Sequence, residues 1–334
     1  LEVILLDLQL LREVEDTYSF TIHDTEILHD TGRTIVIQLE TNAGEYVCKR
    51  IILDEVRLQF ILAVENHLRA KGIRIPTILP TRDNKSYFTW DGQYYLLQEY
   101  IPEEPGLDTD KGKTDLRDLL DRAALLGDIH TASYGFSTPM SGLYNGVLKW
   151  DDQYESWVRY LKKWMEQNSK SSSEQKQIIC EYLPYFQGVG KLVQKVLNAS
   201  SYYQSWKYRP LSEQWVCHGD YHRGNVWKRN SQYWVIDWEF TRHDFPSRDV
   251  ERLVNLMVKK LNTWNNKAFD QLIHSYLNHN PLKGEERWLL YQDLTFPHGV
   301  RRLLKHNLYR KMSASQIEKL LEREYERSEQ LLHM

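Results

Sequence analysis

The side chains best equipped for chemistry fall within residues 216–239. They lie on Val216-Cys217-His218-Gly219-Asp220-Tyr221-His222-Arg223-Gly224-Asn225-Val226-Trp227 and then on Tyr233-Trp234-Val235-Ile236-Asp237-Trp238-Glu239. The stretch reads as strand, loop, strand, turn, strand: Val216 to His218 lead in, Asn225 to Lys228 form a short strand, Arg229 to Gln232 turn, and Tyr233 to Ile236 deliver Asp237. Asp220 can accept the proton of an attacking hydroxyl. Asn225 offers a neutral amide oxygen and Asp237 a carboxylate, both hard oxygen ligands suited to magnesium. A base with two metal ligands suits phosphoryl transfer, in which charge gathers on the moving oxygens and catalysis is mostly positioning plus cationic stabilisation. Singly, these residues read as ordinary turn residues of an Asx-rich loop; the joint pattern is what carries the assignment.

Elements upstream must position that set. Residues 17–52 alternate and turn like an antiparallel sheet: Tyr18 to Leu28, Thr34 to Glu40 and Glu45 to Ile51 are strands, with turns at Asp30-Thr31-Gly32 and Asn42-Ala43-Gly44. On the third strand Val47 and Lys49 share one face and Cys48 and Arg50 the other. An inward-facing ammonium is costly without a partner, which makes Lys49 the candidate phosphate-binding lysine; a register slip of one residue would substitute Arg50. Phe60, Ile61, Val64 and Leu68 place a helix over residues 55–71, ended by Gly72 and Pro76. Tyr87 to Trp90 and Tyr94 to Ile101 form two more strands around Asp91-Gly92. Pro102 then marks a boundary, and Glu103 to Lys113 reads as a loop or linker.

From residue 114 the pattern turns helical. Leu116, Leu119, Leu120, Ala123, Leu126 and Ile129 form one stripe that His130 closes. Residues 134–149 read as loop, 153–167 as a helix, 175–206 as one or two helices, and 266–278, 285–309 and 313–332 as three more. The last of these is charged enough to lie on the surface.

Composition narrows the function classes. A chain of 334 residues can bury a sizeable core and supports two lobes. Net charge is −3 with both signs interspersed, which argues against a nucleic-acid partner. Three cysteines, odd in number and without metal-ligand spacing, predict synthesis in the reducing cytoplasm. No apolar run approaches a membrane span. The apolar stretch Val3 to Leu11 lacks a basic lead and reads as a short amphipathic helix rather than a signal peptide.

The string His218-Gly219-Asp220-Tyr221-His222-x-x-Asn225 with Ile236-Asp237-Trp238-Glu239 resembles the aminoglycoside phosphotransferase and choline kinase superfamily. Gly44 to Arg50, Ile75 to Thr81 and Leu126 to Ser133 add to the resemblance, which covers nearly the whole chain and is strongest to the bacterial spore coat protein S group of kinase-like proteins. It implies an α+β, protein-kinase-like two-lobed fold: a small antiparallel-sheet lobe over residues 1–101 and a large, mainly helical lobe over 102–334. It implies ATP and Mg2+ as cofactors, Asp220 as base, Asn225 and Asp237 on the metal, and Lys49 on the phosphates. Glu65, with Glu55 second, would pair with Lys49, and the backbone of Glu99, Tyr100 and Ile101 would meet the adenine. Asp249 would brace the catalytic loop or cap the helix after it, with His218 and His130 structural. No Gly-x-Gly-x-x-Gly is present, so the turn at Asp30 to Arg33 would cover the nucleotide.

Two rivals stand beside a spore-coat-associated kinase with an unnamed hydroxyl acceptor. One is a kinase-shaped structural protein of the coat, in contact with other coat proteins; 11 Trp and 21 Tyr suit it loosely. The other is an antibiotic- or choline-modifying kinase. That reading needs a cation cage, with acid from Glu103, Glu104, Asp108 and Asp110 and open rings among Trp157, Trp164 and Trp206.

Overall fold

The computed structural model describes residues 8–31, 34–102 and 116–334. The chain begins with α1 (Leu8–Tyr18), β1 (Ile22–Asp30), β2 (Ile35–Thr41), β3 (Gly44–Ile51), α2 (Glu55–Ala70), β4 (Phe88–Trp90) and β5 (Gln93–Glu99). It continues through α3 (Leu116–Ser133), α4 (Trp150–Asn168), α5 (Glu174–Ala199), α6 (Ser201–Lys207), β6 (Val216–Cys217), β7 (Val226–Arg229), β8 (Gln232–Val235) and β9 (Arg242–His243). It closes with α7 (Ser247–Leu261), α8 (Asn266–His279), α9 (Glu285–Thr295), α10 (His298–Lys305) and α11 (Ala314–Leu332). Two compact units result: Leu1–Gly112 with Gly224–Glu239, and Lys113–Arg223 with Phe240–Met334.

In the first unit five antiparallel strands run in the order β1-β2-β3-β5-β4. The strand period of two sorts the side chains onto two faces. Ile37, Leu39, Cys48, Tyr95 and Leu97 pack with Leu10 and Val14 of α1, while Ile51 and Leu96 pack under Leu58 and Leu62 of α2. Asp54 caps α2 by accepting from the Arg57 amide. Tyr18, expected to open the first strand, ends α1 instead. Leu10 and Val14 bury at helical spacing, Ser19 turns the chain at φ +60°, and the Glu15 carboxylate accepts from the Ile22 amide where β1 begins. The part of the N-terminal apolar stretch before Leu8 lies outside the described residues, as do Gly32 and Arg33 and the acidic segment from Glu103.

The hairpin of β7 and β8 belongs to this unit. Asn230 and Ser231 both hold positive φ, the conformation that two-residue hairpin turns demand. The Val235 amide donates to Arg74 O at 2.9 Å and the Ile236 amide to Asn225 O at 2.9 Å. The expected lobes put this hairpin with the helices; its contacts place it with the sheet.

The second unit is mainly helical. In α3, a Cβ at Gly127 would stand 2.6 Å from Tyr276 O, so only glycine allows α3 to pass α8 this closely. The α3 helix also continues past His130 to Ser133. Leu161, Trp164, Ile179, Leu183 and Phe186 form a core with Leu303, Leu304, Ile317 and Leu321. Residues 285–309, expected as one helix, break at Phe296, which is extended (ψ 137°) before Pro297. A residue before proline is pushed out of the helical region, and proline has no N–H to continue the ladder. Nor is α11 wholly on the surface: Glu324 and Arg327 are buried. Arg327 reaches Glu324 at 2.8 Å, and Glu324 accepts the Gly299 amide at 3.1 Å, so the charges are paired rather than solvated.

Candidate functional site

Within the first unit, a cavity of about 670 Å³ is lined by Val36, Val47, Lys49, Ile51, Leu96 and Gln98 of the sheet, by Leu58, Ile61, Leu62 and Glu65 of α2, and by Glu99, Tyr100 and Ile101. Asn225, Ile236, Asp237, Trp238 and Glu239 complete it. Its size is that of a small-molecule site, apolar with a few convergent charges. Seven of the eight residues singled out from the sequence therefore share one cavity: Lys49, Glu65, Glu99, Tyr100, Ile101, Asn225 and Asp237. The eighth, Asp220, belongs to the second unit.

Lys49 lies opposite Val36 on one side and Leu96 on the other, so its side chain shares their face, while Cys48 points to the core behind. Its Nζ lies 3.1 Å from Asp237 Oδ1 and 2.7 Å from Glu239 Oε1. Burial opposes the charge on Lys49, but these two carboxylates outweigh it and hold the pKa above the ordinary lysine value. Asp237 sits at φ +64°, a conformation uncommon outside glycine. Arg57 of α2 donates from Nη2 to Glu239 O at 2.6 Å, pinning the end of this stretch.

Glu65 does not make the expected ion pair with Lys49. It pairs with Arg69, one turn on, at 3.6 Å, and Arg69 in turn donates to Ile75 O and Pro76 O. Lys49 finds its carboxylates on the hairpin, and Glu65 is left beside an arginine that serves the backbone. Burial raises the Glu65 pKa to about 7, with Arg69 and Lys49 pulling the other way. Between about pH 4.5 and about 7 the folded carboxyl holds a proton that the unfolded chain has released, so stability falls as pH rises through that window. Glu65→Gln is expected to remove about 3 kcal/mol of this decline, read from urea unfolding of the nucleotide-free protein near each end of the window.

At the stretch expected to meet an adenine, the Glu99 amide donates to Thr77 O at 2.8 Å and the Tyr100 amide to Glu45 O at 3.3 Å. Both donors are thus engaged by backbone carbonyls.

In the second unit, β6 pairs with β9 and leads into the loop of Asp220. Asp249, on the first turn of α7, accepts the His218 amide at 2.7 Å and the Gly219 amide at 2.9 Å. His130 Nε2 lies 3.3 Å from the same carboxylate, and His130 Nδ1 lies 2.9 Å from Tyr276 OH. Burial works against the charge on Asp249, but His130 and the loop amides hold its pKa low. It braces the loop and is not the helix cap: Pro246 occupies that position. Gly219 stands at φ +84°, and a Cβ there would collide with Phe240 O. Gly219→Ala should therefore cost about 1–3 kcal/mol in a thermal or urea melt; a change of a few tenths would refute the loop geometry.

Asp220 Oδ2 lies 3.3 Å from His222 Nε2 and Oδ1 lies 3.2 Å from Arg252 Nη2. The His222 hydrogen bond and the Arg252 charge lower its pKa against burial. His130, Cys217 and Asp249 lie close enough together to hold a metal ion, but Asp249 and His130 are engaged with the loop and with Tyr276, and Cys217 Sγ lies 3.4 Å from Phe245 O.

Three contributors have no role in the expectations drawn from the sequence. The one local signal for Glu239 is its place two residues after Asp237. Arg57 and Arg252 sit on helix faces where arginine is unremarkable. The rings that a cation cage needs are not open: Trp157, Trp164 and Trp206 are all buried. Trp164 lies in the helical core, Arg301 covers Trp157 at 5.4 Å, and Trp206 stacks on Trp215 and meets Phe245 edge-on. The acidic segment proposed for that cage lies outside the described residues.

The family described as the phosphotransferase enzyme family matches residues 26–280. The chain belongs to that family. It is similar to spore coat protein S of Bacillus subtilis, 23% identical over 292 residues that cover 87% of this chain and 82% of that protein. Its fold is similar to that of an aminoglycoside phosphotransferase from Alicyclobacillus acidocaldarius, with a TM-score of 0.73 and 15% identity, covering 98% and 97% of the two chains. It is also similar to an amicoumacin kinase in complex with AMP-PNP, Ca2+ and Ami, with a TM-score of 0.61 and 14% identity, covering 97% and 94%. These phosphotransferase structures share the expected α+β, kinase-like class, an antiparallel-sheet part and a mainly helical part. Among the described residues no helix is long and apolar enough to cross a membrane.

Proposed function

We propose that the chain transfers the γ-phosphoryl group of ATP to a hydroxyl acceptor with Mg2+, in association with the spore coat. The observation that carries this reading is the cavity that joins Lys49 to Asn225, Asp237 and Glu239. Triphosphate oxygens would take the place of the two carboxylates on Lys49. The donor set fits magnesium: the amide oxygen of Asn225 and the carboxylate of Asp237 are hard oxygens, and Glu239 adds a third. Bound there, the ion would neutralise charge on the phosphates. With the Glu99 and Tyr100 amides engaged, the adenine edge falls to the remaining backbone groups of Glu99 to Ile101. Asp220 takes the acceptor's proton, on a loop that Asp249 holds in place. The amicoumacin kinase, bound to a nucleotide analogue and a divalent ion, supports the nucleotide and metal by likeness of fold, and spore coat protein S supports the location.

The same relative favours a second reading, a coat component that does not turn over nucleotide and in which Lys49 keeps its two carboxylates permanently. Calorimetric titration with Mg·ATP tests the choice. Saturable binding with release of ADP in the presence of an acceptor is expected; no binding at millimolar nucleotide would move the chain to the structural role.

A further inference from the structure

Basic side chains surround the Asp220 carboxylate within the second unit. Arg252 and His222 each approach one of its oxygens, and they keep 35% and 42% of their side-chain surface exposed, so both are open to a solute. Arg252 lies about one turn beyond Asp249 on α7, so the helix that braces the loop also aims a guanidinium at its carboxylate. Arg242 also flanks the loop, with its charge taken up by Asp244 at 2.7 Å: a Cβ at Gly219 would stand 3.0 Å from its Nη1. The next acids of this unit along the chain are withdrawn. Asp244 is bound to Arg242 and Trp150, Asp249 to the loop amides, and Glu251 to Arg302 and Arg327, all three buried.

An arginine against a general base lowers the base's proton affinity, which works against proton abstraction from a hydroxyl. The arrangement becomes productive if the acceptor brings an anion of its own. A guanidinium binds a planar carboxylate or a phosphate with two parallel hydrogen bonds, and as Arg252 turns to such a group Asp220 regains proton affinity.

We propose that the acceptor carries an acid group, a carboxylate or a phosphate, close to its reacting hydroxyl, and that Arg252, with His222, binds it. This deepens, and rests on, the reading of Asp220 as the base. The hydroxyl proton passes to Asp220 and the acceptor oxygen bonds to the γ-phosphorus. The bond from that phosphorus to the bridging oxygen breaks with its electron pair on ADP, and Asp220 then returns the proton to water. A polycationic acceptor would meet like charge at Arg252.

The test is calorimetric titration of the full chain, in saturating Mg·ADP, with glycerate and with glycerol phosphate. Glycerol and choline serve as neutral and cationic counterparts, and the set is repeated on Arg252→Ala and Arg252→Lys. At least one acid should bind the parent, the two arms showing whether carboxylate or phosphate is preferred, and neither counterpart should. Arg252→Ala should weaken the acid at least about tenfold and Arg252→Lys should restore part of the loss. Choline binding as tightly as the acids, acid binding unchanged in Arg252→Ala, or no binding of either acid would overturn the proposal. Mg·ATP titrated alone into the same samples reads the underlying function separately. If it fails to bind the parent, the phosphotransferase reading falls; if it binds while the acids do not, only the acidic acceptor falls.

Discussion

Asp237→Ala is expected to abolish the stabilisation that Mg·ATP confers on the parent. A ligand that binds only the folded chain, present at about 100 times its Kd, adds about 2.7 kcal/mol. In the variant that gain should shrink to a few tenths. The carboxylate lost would serve both as a metal ligand and as one of two partners of Lys49. The nucleotide-free fold should survive, because Glu239 remains 2.7 Å from Lys49 Nζ and the Ile236 amide still donates to Asn225 O. Alanine at φ +64° costs about 1 kcal/mol by itself, so the decisive quantity is the nucleotide-induced shift within each protein, not the difference between their melting temperatures. Equal shifts in parent and variant would remove Asp237 from the nucleotide site.

Asp220→Asn should leave Mg·ATP affinity unchanged and lower turnover by about 10²–10⁴-fold, the usual contribution of a positioned general base. The substitution keeps the shape and one acceptor oxygen for Arg252 or His222, and removes the charge and the basic oxygen. The loop itself does not depend on Asp220, since the Asp249 carboxylate holds the amides of His218 and Gly219. Single-turnover measurement of ADP release separates chemistry from binding. Turnover within a few-fold of the parent would show that Asp220 is not the base, and a matching loss of nucleotide affinity would show that it acts elsewhere.

The sheet was legible because its signals are local. Asp91-Gly92 turns the hairpin of β4 and β5, and the period of two alone puts Val47 and Lys49 on one face and Cys48 on the other. The stripe of Leu119, Ala123, Leu126 and Ile129 made α3 equally readable, and Pro297 is a local stop signal for the helix before it. Asp220, Asn225 and Asp237 stood out because loop chemistry concentrates in a short string.

What the sequence by itself determined was therefore which residues could act and which way each strand or helix would face them. Tertiary structure alone decided the partners. Lys49 meets Asp237 across 188 positions of chain, and Glu239 beside it, while Glu65 on the adjacent helix turns to Arg69. Arg252 reaches Asp220, and Glu324 and Arg327 go into the interior of a helix that reads as surface. Local periodicity sets a side chain's direction but not what lies opposite. That depends on where distant segments pack, and a buried charge goes to whichever opposite charge the packing brings within about 4 Å, where the attraction offsets part of the loss of water.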